Sequence, residues 1–153
     1  MSESRVEKAE ELFRAGYNCA QSVFAAYADL FGMDFETALK ISCPMGGGMG
    51  RMREVCGTVS AMSMLSGLKG GNTDPHDEEA KKAAYELVRR MAGQFKEEHG
   101  TMICREILGL PGMEESAAPS VRTAEYYASR PCLKIVRSAA RIIEEYLVAE
   151  DRG

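Results

Sequence analysis

Glycine and proline cut this chain into short runs whose apolar residues recur with a helical period, and nowhere does a period-two alternation persist. That pattern excludes a sheet-based core and predicts an all-α fold, a single-domain bundle of about six to seven helices. Ser4 to Ala15 reads as a charged first helix with Val6, Ala9 and Phe13 on its apolar stripe, ended by Gly16. Asn18-Cys19-Ala20-Gln21 has the form of a capping box, which sets Cys19 at the first position of a helix running through Val23, Tyr27 and Leu30 to Gly32. Asp34 caps a shorter helix carrying Ala38, Leu39 and Ile41, and Cys43-Pro44 breaks it, because a residue before proline avoids the helical region.

The glycine-dense segment Met45-Gly46-Gly47-Gly48-Met49-Gly50 comes next. A helix of small residues follows from about Arg53 to Leu68, with Cys56, Gly57, Ser60, Ala61, Ser63 and Ser66. Small side chains let backbones approach closely, so this run is expected at the centre of the bundle. Asn72-Thr73-Asp74-Pro75 opens the longest helix, with proline at its first position and Ala84, Leu87, Val88, Met91 and Phe95 on its buried face, up to Gly100. Thr101 is expected to cap a brief helix containing Cys104, Ile107 and Leu108. The stretch from Met113 to Arg130 reads as part helix, part irregular, and Pro131 starts a last helix with Cys132, Ile135, Val136, Ala139, Ile143 and Tyr146 on one face.

A chain of 153 residues can bury a substantial core as one domain, taken as 1–153. Its net charge of −4 is mild and its charges are interspersed, which argues against nucleic acid as a partner. The start, Met1-Ser2-Glu3-Ser4-Arg5, lacks the apolar core of an export signal, and no apolar run is long enough to cross a bilayer. A cytoplasmic protein without membrane insertion is therefore expected. In that compartment five cysteines, an odd number, point to metal-binding, catalytic or buried thiols, not to a disulfide framework.

Cys19, Cys56, Cys104 and Cys132 each fall in the first turn of an expected helix. Helix N-termini carry partial positive charge and unpaired N–H groups, and so favour the thiolate that binds metal, attacks disulfides and meets oxidants. Any one of these cysteines also fits a core role, since free cysteine packs as a small hydrophobe. Four at helix starts point to one shared site at an end of the bundle. Cys43 stands apart before Pro44, within reach of Cys56 across the glycine loop. The spacings exclude C-x-x-C redox and zinc-knuckle motifs, covalent haem attachment and ferredoxin-type cysteine runs.

The strings Gly16-Tyr17-Asn18-Cys19-Ala20-Gln21-Ser22-Val23, Met45-Gly46-Gly47-Gly48-Met49-Gly50-Arg51 and Glu54-Val55-Cys56-Gly57-Thr58-Val59-Ser60-Ala61, followed by the single Cys104 and Cys132, resemble the C_GCAxxG_C_C family. That family is named for four cysteines and a glycine–cysteine motif, and a redox role is ascribed to it. The likeness covers nearly the whole chain. Thr58 stands at the motif's alanine and Ala61 at its closing glycine.

Four cysteine thiolates suit an iron–sulfur cluster that passes electrons to a partner redox protein, with Gly46, Gly47, Gly48 and Gly57 supplying close backbone and N–H donors. A metal-free dithiol needs only two of the cysteines. Zinc or copper is a further alternative, with Met45, Met49 and Met52 as soft ligands, although methionine more commonly fills gaps in helical cores. From a different class comes a non-redox binding or adaptor domain with structural cysteines, in which the small-residue helix serves a homodimer or clasps a partner. His76 and His99 read as solvated or capping side chains. The glycine run lacks the G-K-[ST] ending of a phosphate loop.

Overall fold

The computed structural model describes residues 4–112 and 114–149. Eight α-helices are present among the described residues: α1 Val6–Arg14, α2 Cys19–Tyr27, α3 Phe35–Ser42, α4 Gly57–Gly70, α5 Glu78–His99, α6 Cys104–Leu108, α7 Ala124–Ser129 and α8 Cys132–Ile143. Short 3₁₀ turns follow α2 and α3, and a π-helical turn, Glu144–Val148, extends α8. The one β pairing among the described residues is an isolated antiparallel bridge between Val55 and Ile103. None of the described helices is long and apolar enough to cross a membrane. The uncertain stretch expected from Met113 onward resolves into irregular chain over 114–123 and then α7, with Met113 itself outside the described residues. The first three residues, on which the reading of the N-terminus rested, also lie outside the described residues.

The helix at the centre is α2, not the small-residue helix. Every residue from Ser22 to Tyr27 is buried, and α2 packs against α1, α3, α4 and α8. Ala20, Ala25 and Ala26, each essentially unexposed, give α2 the close approach that had been expected of α4. Phe13, Phe24, Tyr27, Met62, Leu65, Met91 and Phe95 fill the core around it, each worth roughly 1.5–3 kcal/mol of burial. The buried Tyr27 hydroxyl donates to Glu144 Oε2 at 2.8 Å, and the Arg5 backbone N–H donates to the same oxygen at 2.8 Å. These bonds tie α1 and α2 to the end of α8.

Three boundaries differ from the sequence expectation. α4 begins at Gly57, because the chain before it is in left-handed conformation. α5 begins at Glu78, with Asp77 as its cap (Ala80 N–H to Asp77 Oδ1, 3.0 Å). Asp74 instead closes a turn around Pro75, accepting from His76 N–H at 2.9 Å, and so takes the proline out of the helix. At α6 the capping position is Ile103, and Thr101 Oγ1, which accepts the Ile103 N–H at 3.1 Å, stands two residues too early to be the cap. Ile41, one of the apolar residues of α3, is 44% exposed.

Candidate functional site

The site is organised by the N-terminus of α2 and the glycine loop that folds over it. Asn18 Oδ1 accepts the Gln21 N–H at 2.9 Å, and Gln21 Oε1 accepts the Asn18 N–H at 3.1 Å, so the capping box is complete. The other end of the Asn18 amide donates to Cys43 O at 3.0 Å, pinning the start of the loop to α2. Gly46 passes so close that a Cβ there would lie 2.3 Å from Asn18 Nδ2. From Gly47 to Arg51 five successive residues have φ between 56° and 69°, and Arg53 follows at 61°. Met49, Arg51 and Arg53 are not glycines, and each costs roughly 1–2 kcal/mol in this region. Backbone strain of that size collects at functional sites.

The loop returns Gly47 to the first turn of α2, where its N–H reaches Cys19 Sγ. The Cys19 thiol is held down to about 7 chiefly by a hydrogen bond from the Cys56 thiol. Burial opposes this, and N–H groups of Gly47, Ala20 and Cys19 itself assist it. Cys56, buried at the N-cap of α4, is pushed well above the ordinary thiol value by donating to Cys19, by burial and by the nearby negative charge. Of the two sulfurs, Cys19 is favoured as the thiolate and Cys56 as the thiol. Thr58 Oγ1 lies 3.1 Å from Cys56 Sγ. Gly57 completes the contact: a Cβ on it would stand 3.0 Å from Cys19 Sγ and 2.9 Å from Met45 O.

Cys104 and Cys132, the first residues of α6 and α8, face the same cavity of about 490 Å³, and Cys43 reaches its rim. Neither deeper thiol is a favoured thiolate. Burial pushes Cys132 up to about 11, with the Cys19 charge adding to it, and burial also raises Cys104 against the pull of Arg53, whose Nη1 lies 3.5 Å from Cys104 Sγ. Of the four thiols expected at the site, Cys19 alone is shifted toward the thiolate. α6 has only five residues and a weak dipole, and at α8 burial outweighs the helix terminus. Cys43 is exposed, and the partners of Cys56 are Cys19 and Thr58.

Residues 17–146 match the family described as "Putative redox-active protein (C_GCAxxG_C_C)". The chain belongs to this family. No curated protein and no solved structure matches it. The C_GCAxxG_C_C match spans the Cys19–Cys56 contact, the glycine loop, Cys104 and Cys132, and so contains every wall of the cavity except those supplied by Phe13 and Gly16. At the two departures from the family motif, Ala61 is fully buried in α4, and Thr58 provides the hydroxyl beside Cys56.

Other expectations fall elsewhere. Met49 and Met52 are 49% and 39% exposed and line neither the core nor the cavity, since the left-handed loop turns them outward. Of the four glycines named above, Gly47 supplies an N–H to sulfur, whereas Gly46, Gly48 and Gly57 act by close approach. His76 is exposed. His99 is half-buried, its ring centroid 4.7 Å from that of Phe95, its Nε2 buried without a hydrogen-bond partner, and burial lowers it.

Sequence reasoning missed the arginines. Arg51 and Arg53 both pair with Glu114, Arg53 at 3.2 Å. Partial burial pushes the Glu114 carboxyl up, but these two guanidinium groups outweigh it and hold the carboxyl below its ordinary value. Arg122 donates to Phe13 O and Tyr17 O, both at 2.9 Å, and stacks 4.3 Å from the Phe13 ring centroid. Nothing in their spacing marks these residues, because the fold gathers them from the glycine loop and from the irregular chain before α7.

Proposed function

We propose that the protein is a thiol–disulfide redox protein in which Cys19 attacks and Cys56 resolves. The juxtaposition of the two thiols carries this reading: Cys19 Sγ lies against Gly57, the residue next to Cys56, with Cys19 favoured as thiolate and Cys56 as a protonated reserve. Cys19 sulfur attacks one sulfur of a substrate disulfide, the substrate S–S bond breaks, and the first thiolate leaves and takes a proton. The mixed disulfide removes the negative charge that had held the Cys56 proton in place. Cys56 then loses that proton and attacks Cys19 sulfur, forming the Cys19–Cys56 disulfide and expelling the second thiolate. Two protein thiols are oxidised and one substrate disulfide is reduced to two thiols. A partner dithiol protein restores the starting state.

An iron–sulfur cluster gains less support from the side chains. Among the described residues no three His, Cys, Asp or Glu side chains stand close enough to hold one metal ion, and Cys104 is engaged by Arg53. Iron and sulfide in matched, stoichiometric amounts in anaerobically purified protein would replace the dithiol reading.

Alkylation of Cys19 by iodoacetamide, followed by mass spectrometry across pH, tests the pairing. The rate is expected to rise with pH through a midpoint near 7, because the thiolate is lost as pH falls through that value. Cys56→Ala removes the strongest donor and moves the midpoint toward the usual thiol value of about 8.5. At pH 7 the thiolate fraction then falls roughly fifteen-fold while intrinsic nucleophilicity rises about five-fold, a net loss of about three-fold. Cys56→Ser keeps a donor and is expected to move the midpoint less. A midpoint indifferent to both changes would remove the basis of the proposal.

A further inference from the structure

We propose that the cavity over Cys19 takes small anionic disulfides, whose carboxylate groups are held by Arg130 and Arg122. This rests on the dithiol reading and adds the class of substrate. The chain has 23 Asp and Glu against 19 Lys and Arg. Among the described residues the cavity wall reverses that balance, with Arg51, Arg53, Arg122 and Arg130 and no acidic side chain at all.

The four arginines are not equivalent. Arg51 and Arg53 are committed to Glu114, and Arg53 also to Cys104. Arg122 donates to two backbone carbonyls, which fix its plane without cancelling its charge. Arg130 lies 5.1 Å over the Tyr126 ring, and no carboxylate among the described residues pairs with it. Two uncompensated guanidinium groups therefore share a cavity with Cys19, and their planar forks suit a carboxylate. The volume, about 490 Å³, is that of a small-molecule pocket. Ile107, Leu108 and Ile135 in the same wall offer an apolar surface to the carbon chain.

The chemistry is the exchange already written: the substrate S–S bond breaks, the Cys19–Cys56 bond forms, and two anionic thiols leave. The cationic wall favours both the approach of the substrate and the developing negative charge on the leaving sulfur.

Three disulfides of similar size test the inference at low ionic strength: 3,3′-dithiodipropionate (anionic), bis(2-hydroxyethyl) disulfide (neutral) and cystamine (cationic). Each rate of Cys19 consumption is divided by the rate of the same disulfide with free 2-mercaptoethanol, which removes intrinsic differences in reactivity. The anionic disulfide is expected to react at least ten-fold faster than the neutral one on this scale, and cystamine slowest. In Arg130→Gln the three normalised rates are expected to converge, and Arg130→Glu shifts the preference toward cystamine. Equal normalised rates in the wild type, or an anionic preference that survives both Arg130→Gln and Arg122→Gln, overturn the substrate class and leave the dithiol pair standing. Failure of Cys19 to react with any of the three overturns the reading beneath it.

Discussion

Cys19→Ser is expected to abolish disulfide reduction, with a loss on the order of 10³-fold or more, the scale met when a nucleophile is removed. Serine at this position keeps the capping box of Asn18 and Gln21 intact, so thermal stability should change by no more than about 0.5–1 kcal/mol. The loss is therefore chemical and not a failure to fold. Cys56→Ser is expected to behave differently: the first attack proceeds, and the mixed disulfide on Cys19 accumulates as a mass increase equal to half the substrate. Cys104→Ser and Cys132→Ser, which alter thiols held in protonated form, should leave that first attack within a few-fold of wild type. Wild-type turnover in Cys19→Ser, measured with 3,3′-dithiodipropionate and followed by thiol release, would refute the assignment of the nucleophile.

The largest effect on stability is expected at Gly48. Its φ is 69°, and a Cβ there would lie 2.7 Å from Cys104 Cβ, 2.7 Å from Glu54 N and 2.8 Å from Arg53 Cα. All three neighbours are backbone or Cβ atoms with little freedom to yield. Gly48→Ala combines about 1 kcal/mol of left-handed strain with an overpacking cost of about 1–3 kcal/mol, for a total of roughly 2–4 kcal/mol. Gly109 provides the control: its φ is 70°, but nothing lies within 4 Å of an added Cβ, so Gly109→Ala should cost only about 1 kcal/mol. Urea unfolding of the two variants separates strain from crowding. Equal losses would mean that the loop is not packed against Cys104 as described.

The helical architecture was legible because capping and periodicity are local. Asn18 with Gln21, Asp34 with Thr37, and the Val6–Ala9–Phe13 stripe need only their neighbours in sequence, and all three form as read. The start of α4 was not legible. Arg53, Glu54 and Val55 suit a helix by propensity, but the left-handed run from Gly47 carries the chain past them, and Val55 bridges to Ile103 instead. The start of α5 was misplaced for a related reason, since Asp74 and Asp77 are both competent caps and only the turn around Pro75 decides between them.

For the site, four helix-start cysteines pointed to one place, and the cavity has all four in its wall. Their inequality was hidden. Whether a thiol at a helix start is charged depends on what surrounds it, and that is a tertiary property: Cys19 is lowered by the Cys56 thiol beside it, whereas at Cys132 burial and like charge outweigh Arg130 and Arg122. The arginines were hidden for the same reason, Arg53 and Arg122 being 69 positions apart in sequence yet on one wall.

The central claim is that Cys19 and Cys56 are a redox couple. Its most direct measurement is disulfide mapping by peptide mass spectrometry after the reduced protein has taken up one equivalent of diamide. The account predicts a single predominant Cys19–Cys56 disulfide, reversed by dithiothreitol, with Cys104 and Cys132 recovered as free thiols. A Cys104–Cys132 disulfide as the main product, or five free cysteines after oxidation, would contradict it.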